Sequence, residues 1–207
     1  MALQGLLVTL IAASMIACTD SKTAPAAALV LPTASPVLGL RRVPQLSGVM
    51  PVDVFAQFYG FEHGDTRPVL ALHFIRASYQ SFGRGPQQPN PPPDAPNSVT
   101  EVLATFNTER EAGGALKLLL AREREALAAG PAPELSDLPQ RELGDEYGWG
   151  LSAKMTLPDG ATLFRAEYSW RRGTSVVTVL AFHPTAIPTN VGAIAADLDR
   201  QLADSHQ

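Results

Sequence analysis

A single cysteine, Cys18, stands among the 207 residues, so no disulfide within the chain can staple a small core, and packing has to stabilise the fold. Positive charge is sparse as well. Sixteen Lys and Arg against twenty Asp and Glu give a formal net charge of −4, and the basic residues are scattered, which argues against a partner held through a phosphate backbone. The one strongly apolar run, Leu6 to Ala17, is too short for the roughly 20 residues that a bilayer-spanning helix needs. No G-x-S-x-G elbow occurs, and the four histidines form no second cluster that would complete a metal site around one of them. Neither a catalytic residue, a metal site nor a cofactor is indicated.

What is present organises the chain. The run Leu6–Ala17 has the length of the apolar core of an export signal. Thr19 to about Pro36 is rich in Ala, Thr, Ser and Pro and buries too little to offset the entropy of ordering it, so residues 18–36 read as a tether and 37–207 as one domain. A second break at Gly83–Asn97 holds six prolines and reads as an exposed loop within that domain.

Met15-Ile16-Ala17-Cys18 resembles the lipobox of bacterial lipoproteins. That resemblance implies cleavage after Ala17, lipidation of the Cys18 thiol and a membrane anchor outside the cytoplasm. Each buried methylene adds about 0.8 kcal/mol of membrane affinity, so two or three chains hold a protein firmly.

Between the breaks, Pro51–Tyr59 has helical spacing with Gly60 as its stop, and Val69–Phe82 and Val99–Phe106 read as antiparallel neighbours joined by the proline loop. Thr108 and Glu111 form a T-x-x-E capping box for a helix over 109–129. Its apolar face is Ala112, Ala115, Leu116, Leu119, Ala126 and Leu127, while Glu123 and Glu125 beside Arg122 and Arg124 read as a solvated face. Strands are expected at Tyr147–Met155, Thr162–Arg171 and Thr174–Phe182, joined by turns at Leu157-Pro158-Asp159-Gly160 and Arg172-Gly173. Phe164, Ala166, Tyr168 and Trp170 alternate with Arg165, Glu167, Ser169 and Arg171, which predicts one buried face; the last strand is apolar on both faces and suits a central position. A helix over 190–203 closes the chain. The expected class is α+β, an antiparallel sheet of about five strands with helices packed on it.

Phe106-Asn107-Thr108, the helix after it, Leu143-Gly144-Asp145-Glu146 and Arg171-Arg172-Gly173-x-x-Val176-Val177 resemble uncharacterised extracytoplasmic lipoproteins and sensor-like domains of actinobacterial type over residues 98–205. The resemblance implies a Mog1/PsbP-like α/β sandwich and brings no catalytic residue.

Candidate chemistry is thin. Leu143-Gly144-Asp145-Glu146 reads as a turn that aims the next strand, and Glu62-His63-Gly64-Asp65 has three potential ligands on one short stretch, too local for a metal. Tyr168 and Trp170 read as core. Trp149, flanked by Gly148 and Gly150, is the aromatic expected to stand exposed and to contact a ligand. The functional expectation is a non-enzymatic, lipid-anchored domain that binds a protein, peptide or small apolar ligand. An accessory or sensory subunit of an envelope complex is the second reading, and a hydrolase, which requires a concave pocket with a perturbed His or carboxylate pair, the third.

Overall fold

The computed structural model describes residues 40–84, 95–129, 134–157 and 159–204. The expected signal sequence, Cys18, the tether, most of the proline loop and the Gly130-Pro131 helix stop lie outside the described residues.

In chain order the elements are β1 (Leu40–Arg42), β2 (Gly48–Met50), α1 (Val52–Phe58), α2 (Arg67–Leu70), β3 (Phe74–Arg84), β4 (Ser98–Phe106), α3 (Glu109–Ala128), β5 (Glu134–Asp137), β6 (Glu146–Thr156), β7 (Thr162–Arg172), β8 (Ser175–His183) and α4 (Val191–Asp204). The strands make one eight-stranded antiparallel sheet in the order β1-β3-β4-β8-β7-β6-β5, with β2 also paired to the outer side of β3. The α+β class holds, with a larger sheet than the five strands expected. The extra strands β1, β2 and β5 are three or four residues long, too short to show a period in sequence. The strand expected from Val69 begins only at Phe74, because Arg67–Leu70 closes a helical turn with Pro68 in its first positions. The chain then swings into β3 through His73, whose φ of 49° is left-handed.

The sheet is covered on both sides. On β7, Arg165, Glu167 and Ser169 face α3 and the end of α1, while Ala166, Tyr168 and Trp170 face α4; all six are buried. The polar half of the alternation, read in sequence as the wet face, is therefore interior. β8 lies between β4 and β7 and is buried almost throughout, as its double-sided apolar pattern demands.

α3 starts as its capping box dictates. Thr108 Oγ1 accepts the Glu111 N–H at 3.3 Å, and the Glu111 carboxylate meets His73 Nδ1 at 2.5 Å, fastening the first turn to the approach of β3. Its inner stripe is Ala112, Ala115, Leu116, Leu119 and Leu127, with Glu123 where an apolar residue would be expected; Ala126 is exposed. Leu116 settles onto Gly148 of β6: a Cβ at Gly148 would lie 2.7 Å from Leu116 Cδ1 and 2.9 Å from the Ser169 carbonyl oxygen. Only a glycine lets helix and sheet approach this closely. Gly148→Val should lower stability by about 1–3 kcal/mol, the usual cost of overpacking, read as an earlier urea midpoint of the full chain.

Candidate functional site

The richest chemistry lies between α3 and the sheet. Arg165 on β7 donates Nε to Glu167 Oε2 at 3.1 Å and its terminal nitrogen to carboxylate oxygens of both Glu167 and Glu123. The Trp149 indole N–H of β6 donates to the other oxygen of Glu167. Thr178 of β8 links Ser169 and Tyr59, with both hydroxyl contacts at 2.7 Å. Exposure is 1% at Glu167, 2% at Glu123 and 9% at Arg165, so two carboxylates share one guanidinium in an almost dry space. Glu123 Oε2 has no hydrogen-bond partner.

Burial lifts the Glu123 carboxyl to about 7; Arg165 works against the rise and Glu167 adds to it. For Arg165, burial alone would lower the pKa, but the two carboxylates more than offset that and raise it. Burial also raises Tyr59, against the opposing hydrogen bond to Thr178.

Two expectations are corrected here. Trp149 is not on the surface: it is 3% exposed, and its indole N–H is committed to Glu167. Gly148 and Gly150 surround it because helix and ring pack against the backbone there, not to present it. Glu123 is not on the solvated face; its neighbours Arg122 and Arg124 turn outward to Glu125 and Asp137. The signal for Glu123 was in the sequence, since 112, 116, 119, 123 and 127 follow one helical stripe. The signal for its partner was Arg165 and Glu167, opposite charges two residues apart on a strand and hence on one face.

The opposite face has its own acid. Glu101 of β4 is 2% exposed, in register with Gln80 on one side and Val179 on the other. Burial pushes its carboxyl up to about 8, and Asp197 of α4 adds to the rise. Farther along the same face, Asp199 of α4 accepts the Trp170 indole N–H at 2.8 Å, the Gly144 N–H at 3.0 Å and both Arg172 donors at 2.7 and 2.6 Å. These donors hold its carboxyl below the usual range although burial works the other way. Tyr168 and Trp170 are core, as expected.

The remaining candidates are structural. Leu143-Gly144-Asp145-Glu146 is a turn: Gly144 has φ 59°, a Cβ there would be 2.1 Å from the Arg171 carbonyl oxygen, and Asp145 accepts the Gly173 N–H. Glu62–Gly64 is a tight helical turn, and the Asp65 carboxylate is held by Arg67, which draws its pKa down to about 2. His183 Nδ1 accepts the Thr185 and Ala186 backbone N–H groups. Among the described residues no group of three or more His, Cys, Asp and Glu side chains is placed to hold a metal ion. Glu123 and Glu167 are a buried carboxylate pair, 2% and 1% exposed, over which α3 closes.

No protein-family model and no curated protein matches the sequence. Among solved structures, the chain is similar to the extracellular domain of PknH from Mycobacterium tuberculosis, with a TM-score of 0.43 and 15% identity over 66% of this chain and 69% of that one. A likeness that loose says nothing of a shared ligand.

Glu101 generates a pH prediction. Its folded carboxyl titrates near 8 and its unfolded one near 4.5, so the folded state holds the extra proton between these values. Its contribution is complete below about pH 4.5 and lost as pH rises through 8. Urea midpoints of the full chain should fall between pH 5 and 8 and level off above. Glu101→Gln should flatten much of that slope and raise stability at pH 8 by on the order of 2 kcal/mol.

Proposed function

We propose that the chain is an extracytoplasmic binding domain, anchored by lipid at Cys18, that engages an envelope protein or peptide along the β2–β3 edge of its sheet. The observation that carries this is where apolar side chains remain in solvent. Val49 of β2 is 78% exposed, Ile75 at the start of β3 is 56% exposed and Leu70 of α2 is 48% exposed. Val49 pairs across from Ser78, three residues along β3 from Ile75, and the His73 N–H bonds the Leu70 carbonyl, so all three belong to one corner of the sheet.

Apolar side chains grouped in solvent are the usual mark of a contact surface. This corner is also a sheet edge: among the described residues no strand pairs with the outer side of β2. An extended segment added there would gain backbone hydrogen bonds and pockets between alternate side chains. The anchor rests on the apolar run Leu6–Ala17 ending at Cys18, and among the described residues no helix is long and apolar enough to cross a membrane.

Two measurements test the proposal. Intact mass of the membrane fraction should show a chain beginning at Cys18 with added lipid, absent from Cys18→Ser; an unprocessed or soluble product removes the anchor. In cells, a photo-crosslinking residue at position 49 or 75 should yield discrete adducts that the same residue at exposed position 124 does not. Equal labelling from all three positions defeats the edge as the contact surface.

A further inference from the structure

The polar cluster under α3 is arranged in a way that stability does not require. One guanidinium neutralises one carboxylate, yet Arg165 is set between two, Glu167 on its own strand and Glu123 from α3. Glu167 is saturated with donors, two from Arg165 and one from Trp149. Glu123 has an oxygen with no partner and is 2% exposed. A second anion in that space has to share its one counter-charge with Glu167 and is shielded from solvent, and ionising it in place costs far more than ionising it in solvent.

The groups facing Glu123 leave no other way to relieve that charge. β7 supplies Arg165 and Glu167, and the end of α1 supplies the Tyr59 hydroxyl, itself bonded to Thr178. The basic neighbours on α3 are turned away, Arg122 to Glu125 and over the Phe61 ring, and Arg124 to Asp137 of β5. The relief available is for the helix segment carrying Glu123 to move out to water. Two turns of α3 follow Leu119; Glu123 and Leu127 are the side chains they bury, while Arg122 over Phe61, Arg124 on Asp137 and Ala126 beside Gly60 are contacts at their margin.

We propose that Glu123, Arg165 and Glu167 form a one-proton switch: the protonated cluster seats the second half of α3 on the sheet, and loss of the Glu123 proton releases it. The step is an acid–base equilibrium with solvent. The proton leaves the Glu123 carboxyl for water as the segment opens, and no other bond changes.

The sign follows from the two states. Seated, Glu123 titrates near 7; opened to water, it titrates near 4.5. Opening therefore releases a proton between these values and becomes about tenfold easier per pH unit there, levelling off above 7.

The two tryptophans supply a readout. Trp149 donates to the switch carboxylate Glu167, and Trp170 donates to Asp199 on the other face of the sheet. In the full chain, the Trp149 indole N–H resonance should move with a midpoint near neutral pH while that of Trp170 stays still. Amide exchange of residues 120–128, corrected for its intrinsic pH dependence, should quicken by about tenfold from pH 5.5 to 6.5 and then level off above 7. Glu123→Gln should abolish both responses, and Glu101→Gln on the opposite face should leave both in place. A Trp149 signal that does not titrate between pH 5 and 9 overturns the proposal on wild-type protein alone, whether or not Glu123→Gln folds. So does an exchange rate in α3 that ignores pH, or a response that survives Glu123→Gln.

Discussion

Burying β7 on both faces is the constraint to which the rest of the molecule answers. A strand that alternates aromatic with charged residues has no wet side here, so each of its polar groups needs a partner in the interior. The partners come from different elements: Glu123 from α3 and Trp149 from β6, with Thr178 of β8 passing the contact on to Tyr59 at the end of α1. On the far face, Asp199 of α4 meets Trp170 and Arg172. Apolar packing alone would let a helix slide or rotate at little cost. Directional contacts of this kind fix how far along and around its axis each helix lies, and an ion cluster of this sort contributes more to geometry than to net stability.

The long elements were legible because each carries one clear period and its own start or stop signal. Thr108 caps α3, Gly60 follows α1, and β8 has an apolar run on both faces that places it at the centre of the sheet. The short strands β1, β2 and β5 owe their extended form to a neighbour; Gly48–Met50 becomes a strand because β3 offers it an edge, which no local pattern records. The polar core was misread for a different reason. Glu123 among Arg122, Arg124 and Glu125 resembles a solvated run, and only its place on the stripe with Leu116, Leu119 and Leu127 marks it as interior. Trp149 was misread because its glycine neighbours suggest exposure. They mark instead a place where Leu116 and the Tyr147 and Tyr168 rings press on the backbone.

α3 joins the parts that matter. Its first turn is fastened by Glu111 to His73, two residues before the exposed Ile75, and its second half carries Glu123 over the polar core. At 1.5 Å per residue its 20 residues extend about 30 Å, so one helix runs from beside the proposed contact edge to the proposed switch.

The position of β8 has a consequence for how the chain is made. It is the last strand in sequence and central in the sheet, paired with β4 on one side and β7 on the other. Until residue 183 has emerged, β4 has only one neighbour and the sheet cannot close. A chain delivered from its N-terminus through a narrow channel would thus stay open, and threadable, until nearly all of it had passed. The β6–β7–β8 meander, with its short turns, would then supply both the missing strand and the local contacts that form fastest.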